Sequence, residues 1–201
     1  MSLSREAQVG EITQYNVALF LHITVVIASF AIAAVLHTVL HVLPRAKTVE
    51  QMRPFAHLVH RLEPLLPILA LFILGFGFWI IGASHKAVKV GDGWVLTGLI
   101  TLVVIEALAG ALLAPHSKKL VAAVEAAPDG PPSAELRQQA LDPFIWYIAH
   151  IATFGFLGIV FVMTNKPSGG ISVLIVIIGA VLGVGLSKLQ LDAAAKTTAA
   201  S

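Results

Sequence analysis

Five apolar stretches, each long enough to cross a bilayer, take up most of this 201-residue chain. The cleanest runs from Val17 to Leu36 without a formal charge. A helix rises about 1.5 Å per residue and a hydrocarbon core is about 30 Å thick, so about twenty apolar residues suffice to span it. Inside that core each backbone N–H and C=O must be paired within its own segment, which predicts an all-α, polytopic membrane helix bundle with about five transmembrane helices. The predicted crossings cover roughly residues 15–43, 64–83, 94–114, 144–164 and 171–188, within a single transmembrane domain at 1–191 that is followed by a flexible tail at 192–201. Prolines mark their edges: Pro44 follows the first, Pro64 opens the second, Pro115 closes the third, Pro143 opens the fourth, and Pro167 separates the last two. Glu6 and Glu11 beside Arg5, with no small-residue cleavage site downstream, argue that the first segment is a retained helix rather than a secretory signal.

Composition removes several alternatives. With 57% hydrophobic and 12% charged residues, the chain is too apolar to cover itself with a water-facing surface. The net charge of +2 is spread among loops and gives no reason to invoke nucleic acid. The absence of cysteine excludes disulfides, thiolate metal sites, iron–sulfur clusters and cysteine nucleophiles. No phosphate-binding loop, dinucleotide fingerprint, zinc-protease motif or nucleophile elbow is present.

Orientation follows from the basic residues. Arg45, Lys47, Arg53, Arg61, Lys118, Lys119, Arg137, Lys188 and Lys196 fall on one side, against Arg5, Lys86, Lys89 and Lys166 on the other. Nine against four places the N-terminus outside and the C-terminus in the cytoplasm, the arrangement of a multi-pass protein of a bacterial inner membrane. Trp79 and Trp94 then belong to an outer aromatic belt, and Trp146 and Tyr147 to an inner one. The connector from Pro115 to Pro143 is predicted to continue as helix to Glu125, to turn at Pro128-Asp129-Gly130, and to start a short helix at Ser133.

Glycines at 75, 77, 155, 158, 179, 183 and 185 mark faces where helices can approach closely in lipid. Gly179 and Gly183 have G-x-x-x-G spacing, which serves packing within the bundle or a homodimer seam.

Imidazole is rare in a membrane and ligates haem iron or divalent metals, so the histidines are the first candidates for chemistry. Six of the eight gather toward the cytoplasmic end. His37 and His41 are four apart and His57 and His60 three apart, so the two pairs together are a candidate four-nitrogen metal site; the alternative is interfacial rings with wet polar tips. His85 and His116 read as interfacial or loop residues. His22 and His150 sit within hydrocarbon and are candidate haem or metal ligands, or histidines hydrogen-bonded across helices. They lie about 13 Å apart along the membrane normal, so each would need its own site. Glu106 is the only formal charge deep in a crossing, about 16 Å below the outer surface. His150 is about 5 Å deeper, which predicts a Glu106–His150 pair acting as a proton relay, as polar lining beside a cofactor, or as a bond fixing helix register.

Tyr15-Asn16-Val17 through Phe20-Leu21-His22, the Ile73-to-Gly77 stretch, Trp94-Val95-Leu96, and Val160-Phe161-Val162-Met163 ending in Lys166-Pro167 together resemble a family of predicted bacterial integral membrane proteins of unknown function. That family is distantly similar to the copper-resistance D type and, further off, to membrane haem proteins with a first-helix Leu-His near the outer side. The resemblance covers roughly residues 15–167 and implies that His22 corresponds to the first-helix histidine of those relatives. Where glycines are expected after it, this chain has Ser29-Phe30-Ala31-Ile32. Three function classes follow. One is histidine-ligated haem b or a divalent transition metal, linked to membrane redox or copper and haem handling. The others are an accessory subunit packed against a larger membrane complex, and a small proton-coupled transporter using Glu106.

Overall fold

A computed structural model describes residues 13–199 of the chain. Residues 1–12, with Arg5, Glu6 and Glu11, and residues 200–201 lie outside the described part. The protein is an all-α bundle, without a strand among the described residues, and five helical stretches in it are long and apolar enough to cross a membrane. It is a multi-pass membrane protein.

The first crossing, α1, is Gln14–Val42. Thr13 caps it by accepting the Asn16 N–H at 3.2 Å, and Pro44, which lacks an N–H, converts its end to a short 3₁₀ turn over Leu43–Arg45. The next helix, α2 (Val49–Leu62), fills the segment that apolar length alone leaves between crossings. Its pattern explains it: Val49, Met52 and Ala56 recur at helical spacing and are buried, while Gln51, His57, His60 and Arg61 are exposed. Across Glu63 and Pro64 it leads into the second crossing, α3 (Leu65–Ala83).

The third crossing, α4 (Gly93–Leu108), passes through a π-turn at Ala109–Leu113 into α5 (Ala114–Ala126). Pro115 supplies the reason for the wide turn: it cannot donate to the preceding turn and its ring crowds the carbonyl four residues back, so the ladder reopens with Ala114 N–H bonding to Ala109 O. Then come α6 (Ala134–Ala140), α7 (Pro143–Asn165) and α8 (Gly169–Ala199). Ser133 caps α6 through the Leu136 N–H at 3.1 Å, as its sequence predicts. At the end of α7, Lys166 takes the left-handed conformation (φ 48°) and Pro167 follows, which turns the chain sharply into α8. The helix then runs to Ala199, past the point where a tail is expected at 192, because Ala193, Ala194 and Ala195 favour helix.

Two groups of crossings make up the bundle. α1 lies along α3, and α4 lies along α7 and α8. The tightest packing joins α7 to α8 through glycines. A Cβ added at Gly179 would stand 2.5 Å from Phe154 O, one at Gly183 2.6 Å from His150 O, and one at Gly158 3.2 Å from Val176 Cα. The G-x-x-x-G pair is therefore occupied within the chain, against α7, rather than presented as a seam to a second copy. Outward-facing Phe20, Leu71, Ile100 and Val181 are exposed, as side chains that contact lipid must be.

At one end, α2, α5 and α6 form a separate layer whose core of Met52, Ala56, Val124, Leu136 and Ala140 continues into Val39 and Leu43 of α1. The Pro128–Gly130 turn is clamped to the start of α2. Val49 N–H donates to Gly130 O at 2.8 Å, Gly130 N–H donates to Glu50 Oε2 at 3.1 Å, and Arg53 bonds Asp129 Oδ1 at 2.6 Å and Ala127 O at 2.9 Å. The turn thus satisfies the orphan N–H of Val49 at a helix start that no side chain of Thr48 caps.

Candidate functional site

The two groups of crossings meet along a seam between α1 and α7. Phe30, His37 and His41 recur on α1 at intervals of two turns and one turn, so they share a face. From α7 come Phe156, His150 and Trp146. Phe30 stacks on Phe156 with ring centroids 4.8 Å apart, His37 meets His150 edge-on at 4.7 Å, and His41 meets Trp146 edge-on at 5.0 Å. The polar part of the seam lies at the end that carries α2, α5 and α6.

His150 is 1% exposed and its two ring nitrogens are both engaged. Nδ1 lies 2.8 Å from Trp146 O and Nε2 lies 2.8 Å from Gln190 Oε1 on α8. Both partners are oxygens, so both bonds form together only when the ring carries two N–H groups, as the imidazolium. A neutral ring that donates Nδ1–H to Trp146 O must accept at Nε2, and Gln190 then meets it by turning its amide end for end. His150 is satisfied in either state, and the two differ by one proton and one amide rotation. Gln190 also stands near His41, which lies on the facing helix α1.

His37 completes the group. It sets Nδ1 2.9 Å from its own helix's Ala33 O, which fixes Nδ1–H as donor and leaves Nε2 with a lone pair. That Nε2 is buried without a hydrogen-bond partner, and so is Ser187 Oγ, one turn before Gln190 on α8. A buried polar atom without a partner costs about 1–3 kcal/mol and asks for a chemical reason.

The remaining predicted site residues separate. The four-histidine set His37, His41, His57 and His60 is not assembled. His57 is exposed and its Nε2 pairs with Glu125 Oε1 at 2.9 Å across α2 and α5, His60 is exposed on α2, and no group of three metal-ligating side chains occurs among the described residues. The helical spacing within each pair is right, but the amphipathic α2 turns its apolar face inward and sends its histidines out. The Glu106–His150 pair is not formed either, since Trp146 and Gln190 take both nitrogens of His150. Trp146 is wholly buried, with Nε1–H 3.5 Å from Ala140 O, and is not a belt residue. His22 bonds across helices: Nδ1–H donates to Ile73 O at 3.0 Å, and Gly77 leaves room for its ring, whose Cε1 would lie 3.6 Å from an added Cβ. His116 stacks on Phe144 at 4.6 Å and His85 is exposed.

Gln190, Ser187 and Trp146 are the site residues that sequence reasoning missed. The signal for two of them is a single stripe on the last crossing, Gly179, Gly183, Ser187 and Gln190, which repeats at helical spacing toward α7. No protein-family model, curated protein or solved structure matches this chain.

Proposed function

We propose that this protein binds and passes protons through the His37–His41–His150–Gln190 cluster, as a small proton-coupled membrane protein. The observation that carries the reading is the pair of oxygen partners on His150. One proton switches the ring between two fully bonded states, and the amide of Gln190 turns with each switch. The open Nε2 of His37, edge-on to the same ring, is a base with nothing else to bond. Imidazole is suited to this work because its charge changes near neutral pH.

The distribution of basic residues supports a cytoplasmic position for the cluster. Nine basic residues on the side of α2, α5, α6 and the end of α8, against Lys86, Lys89 and Lys166 opposite among the described residues, support an orientation in a bacterial inner membrane with the N-terminus outside and the C-terminus in the cytoplasm. The cluster then exchanges protons with the cytoplasm.

The test is proton flux in liposomes containing the purified protein, a trapped pH dye and an imposed potassium diffusion potential. Flux should exceed that of empty liposomes and fall in His150→Gln and Gln190→Leu. Flux equal to empty liposomes, or unchanged in both variants, overturns the reading.

A second reading rests on His22. Its Nδ1–H bond to Ile73 O fixes the tautomer whose Nε2 can ligate iron or another transition metal, and the first-helix resemblance to the copper-resistance D type and to membrane haem proteins agrees with it. A Soret band that disappears in His22→Ala would decide for haem; absence of both the band and bound metal would exclude it.

A further inference from the structure

We infer that Glu106 is a second proton-carrying group, set in the middle of the membrane on the face of α4 that packs toward α3 and α7. The inference rests on the proton-passing reading and extends its path inward. On α4, Leu102 is buried against Ala70 and Ile73 of α3 and Ile159 of α7. Glu106 follows it by four residues and so lies on that face, one turn closer to the histidine end. Its neighbour Ile105 touches α7 at Gly155, where an added Cβ would stand 3.3 Å from Ile105 Cδ1. Glu106 is thereby level with Gly155, between the Phe30–Phe156 stack and the His37–His150 pair. His150 is about 7.5 Å away along the helix axis, within a turn or two.

The surroundings of this carboxyl differ from those of every other acid in the described chain. Glu50, Glu63, Asp92, Glu125, Asp129, Glu135, Asp142 and Asp192 stand at helix ends, in loops or in the end layer, whereas Glu106 stands about 20 Å from the start of α4. It is half-buried and has no hydrogen-bond or ion-pair partner among the described residues. α3 offers no titratable side chain within the membrane; α7 offers His150 and Tyr147; α8 offers Lys188, Asp192 and Lys196 near its far end; α1 offers Tyr15, His22, His37 and His41. None of these bonds Glu106. An unpaired carboxylate at that depth is costly, so the carboxyl rests as the neutral acid and gives up its proton only when a base takes it.

The transfer is a simple exchange. The O–H bond of Glu106 breaks as an N–H bond forms at an imidazole, leaving carboxylate and imidazolium. The open Nε2 of His37 is the free base of the cluster, and the proton crosses to it through intervening water rather than by direct contact. The π-turn that begins three residues after Glu106 releases the helix ladder at this level, a distortion common at functional sites.

Dicyclohexylcarbodiimide tests the inference independently of transport, because it adds to protonated carboxyl groups in apolar surroundings. The carboxyl oxygen attacks the central carbon as its proton moves to nitrogen, and the adduct rearranges to a stable acylurea. With the full-length protein in vesicles, peptide mass spectrometry should find the label on Glu106, retained in Glu106→Asp and absent in Glu106→Gln. Proton flux in Glu106→Gln should fall roughly ten-fold or more, and recover in part in Glu106→Asp. A monodisperse elution profile in detergent shows which variants are folded. Absence of the label, with flux intact in Glu106→Gln, overturns the inference and leaves the histidine reading standing. A labelled Glu106 in a protein without flux supports the neutral buried acid and removes the relay.

Discussion

Replacing Gly183 by alanine puts one methyl group where α8 touches the backbone of α7. That carbon would lie 2.6 Å from His150 O, 2.9 Å from His150 C and 3.1 Å from Ile151 Cα, all of them backbone atoms that no rotamer change can move. Reaching ordinary contact at 3.4 Å needs the helices about 0.8 Å further apart there. Forced separation of a packed interface costs about 1–3 kcal/mol. Alanine also favours helix over glycine by about 0.8–1 kcal/mol, which offsets part of that cost and leaves Gly183→Ala alone a net loss of about 0–2 kcal/mol. Gly185 supplies the control, because nothing lies within 4 Å of a Cβ built there. Gly185→Ala gains the propensity and meets no wall. The difference between the two variants isolates the packing term, and Gly183→Ala should be less stable than Gly185→Ala by about 1–3 kcal/mol. Gln190 lies two turns further along the same face, so the separation also stretches its 2.8 Å bond to His150, adding about 0.6 kcal/mol of lost interhelical hydrogen bonding. Reversible unfolding in mixed micelles, followed by circular dichroism, measures the difference. Equal stability of the two variants, or a more stable Gly183→Ala, would refute the packing argument and with it the account of how His150 and Gln190 are held together.

Two other outcomes follow from the same geometry. Gly77→Ala should gain up to about 0.8–1 kcal/mol of helix propensity, because its Cβ meets His22 at an ordinary 3.6 Å, while His22→Ala should lose about 0.6–1.7 kcal/mol with the bond to Ile73 O; a His22→Ala variant as stable as the wild type would remove His22 as a link between α1 and α3. Arg53→Ala removes both side-chain bonds that hold residues 127–129 to α2, so limited proteolysis should cut the Ala127–Pro132 turn faster while global stability changes by about 1 kcal/mol or less; an unchanged cleavage rate would show that the backbone bonds of Gly130 hold the turn alone.

The α1–α7 seam explains why small changes at these positions bear on function. α7 joins α8 through close backbone contact and α1 lies along α3, but α1 reaches α7 mainly through side chains: two stacked phenylalanines, two edge-on imidazoles, and a histidine against a tryptophan. A contact made by ring edges can change its protonation and hydrogen bonding without moving the glycine-packed helices behind it. Gln190 sits where that soft contact meets the rigid α7–α8 pair.

Apolar length and proline punctuation determined the five crossings by themselves, since a segment in hydrocarbon has only its own backbone to bond, and the helices begin within a residue or two of the predicted edges. The break at Pro128-Asp129-Gly130 and the cap at Ser133 were equally local, as was the gathering of histidines toward one end. The missed helix α2 was legible too, in the spacing of Val49, Met52 and Ala56, but amphipathic spacing is invisible to a criterion based on apolar length. Only the tertiary structure decided which residues meet. Spacing fixes which side chains share a face of one helix, yet the rotation of that helix about its axis is set by the neighbours it packs against. Thus His37 met His150 rather than His57, Trp146 turned inward, and Gln190 took the nitrogen expected for Glu106. The glycines of α8 made those choices physical: by bringing α7 and α8 into backbone contact they set the one rotation at which His150, Gln190 and the α1 histidines share a site.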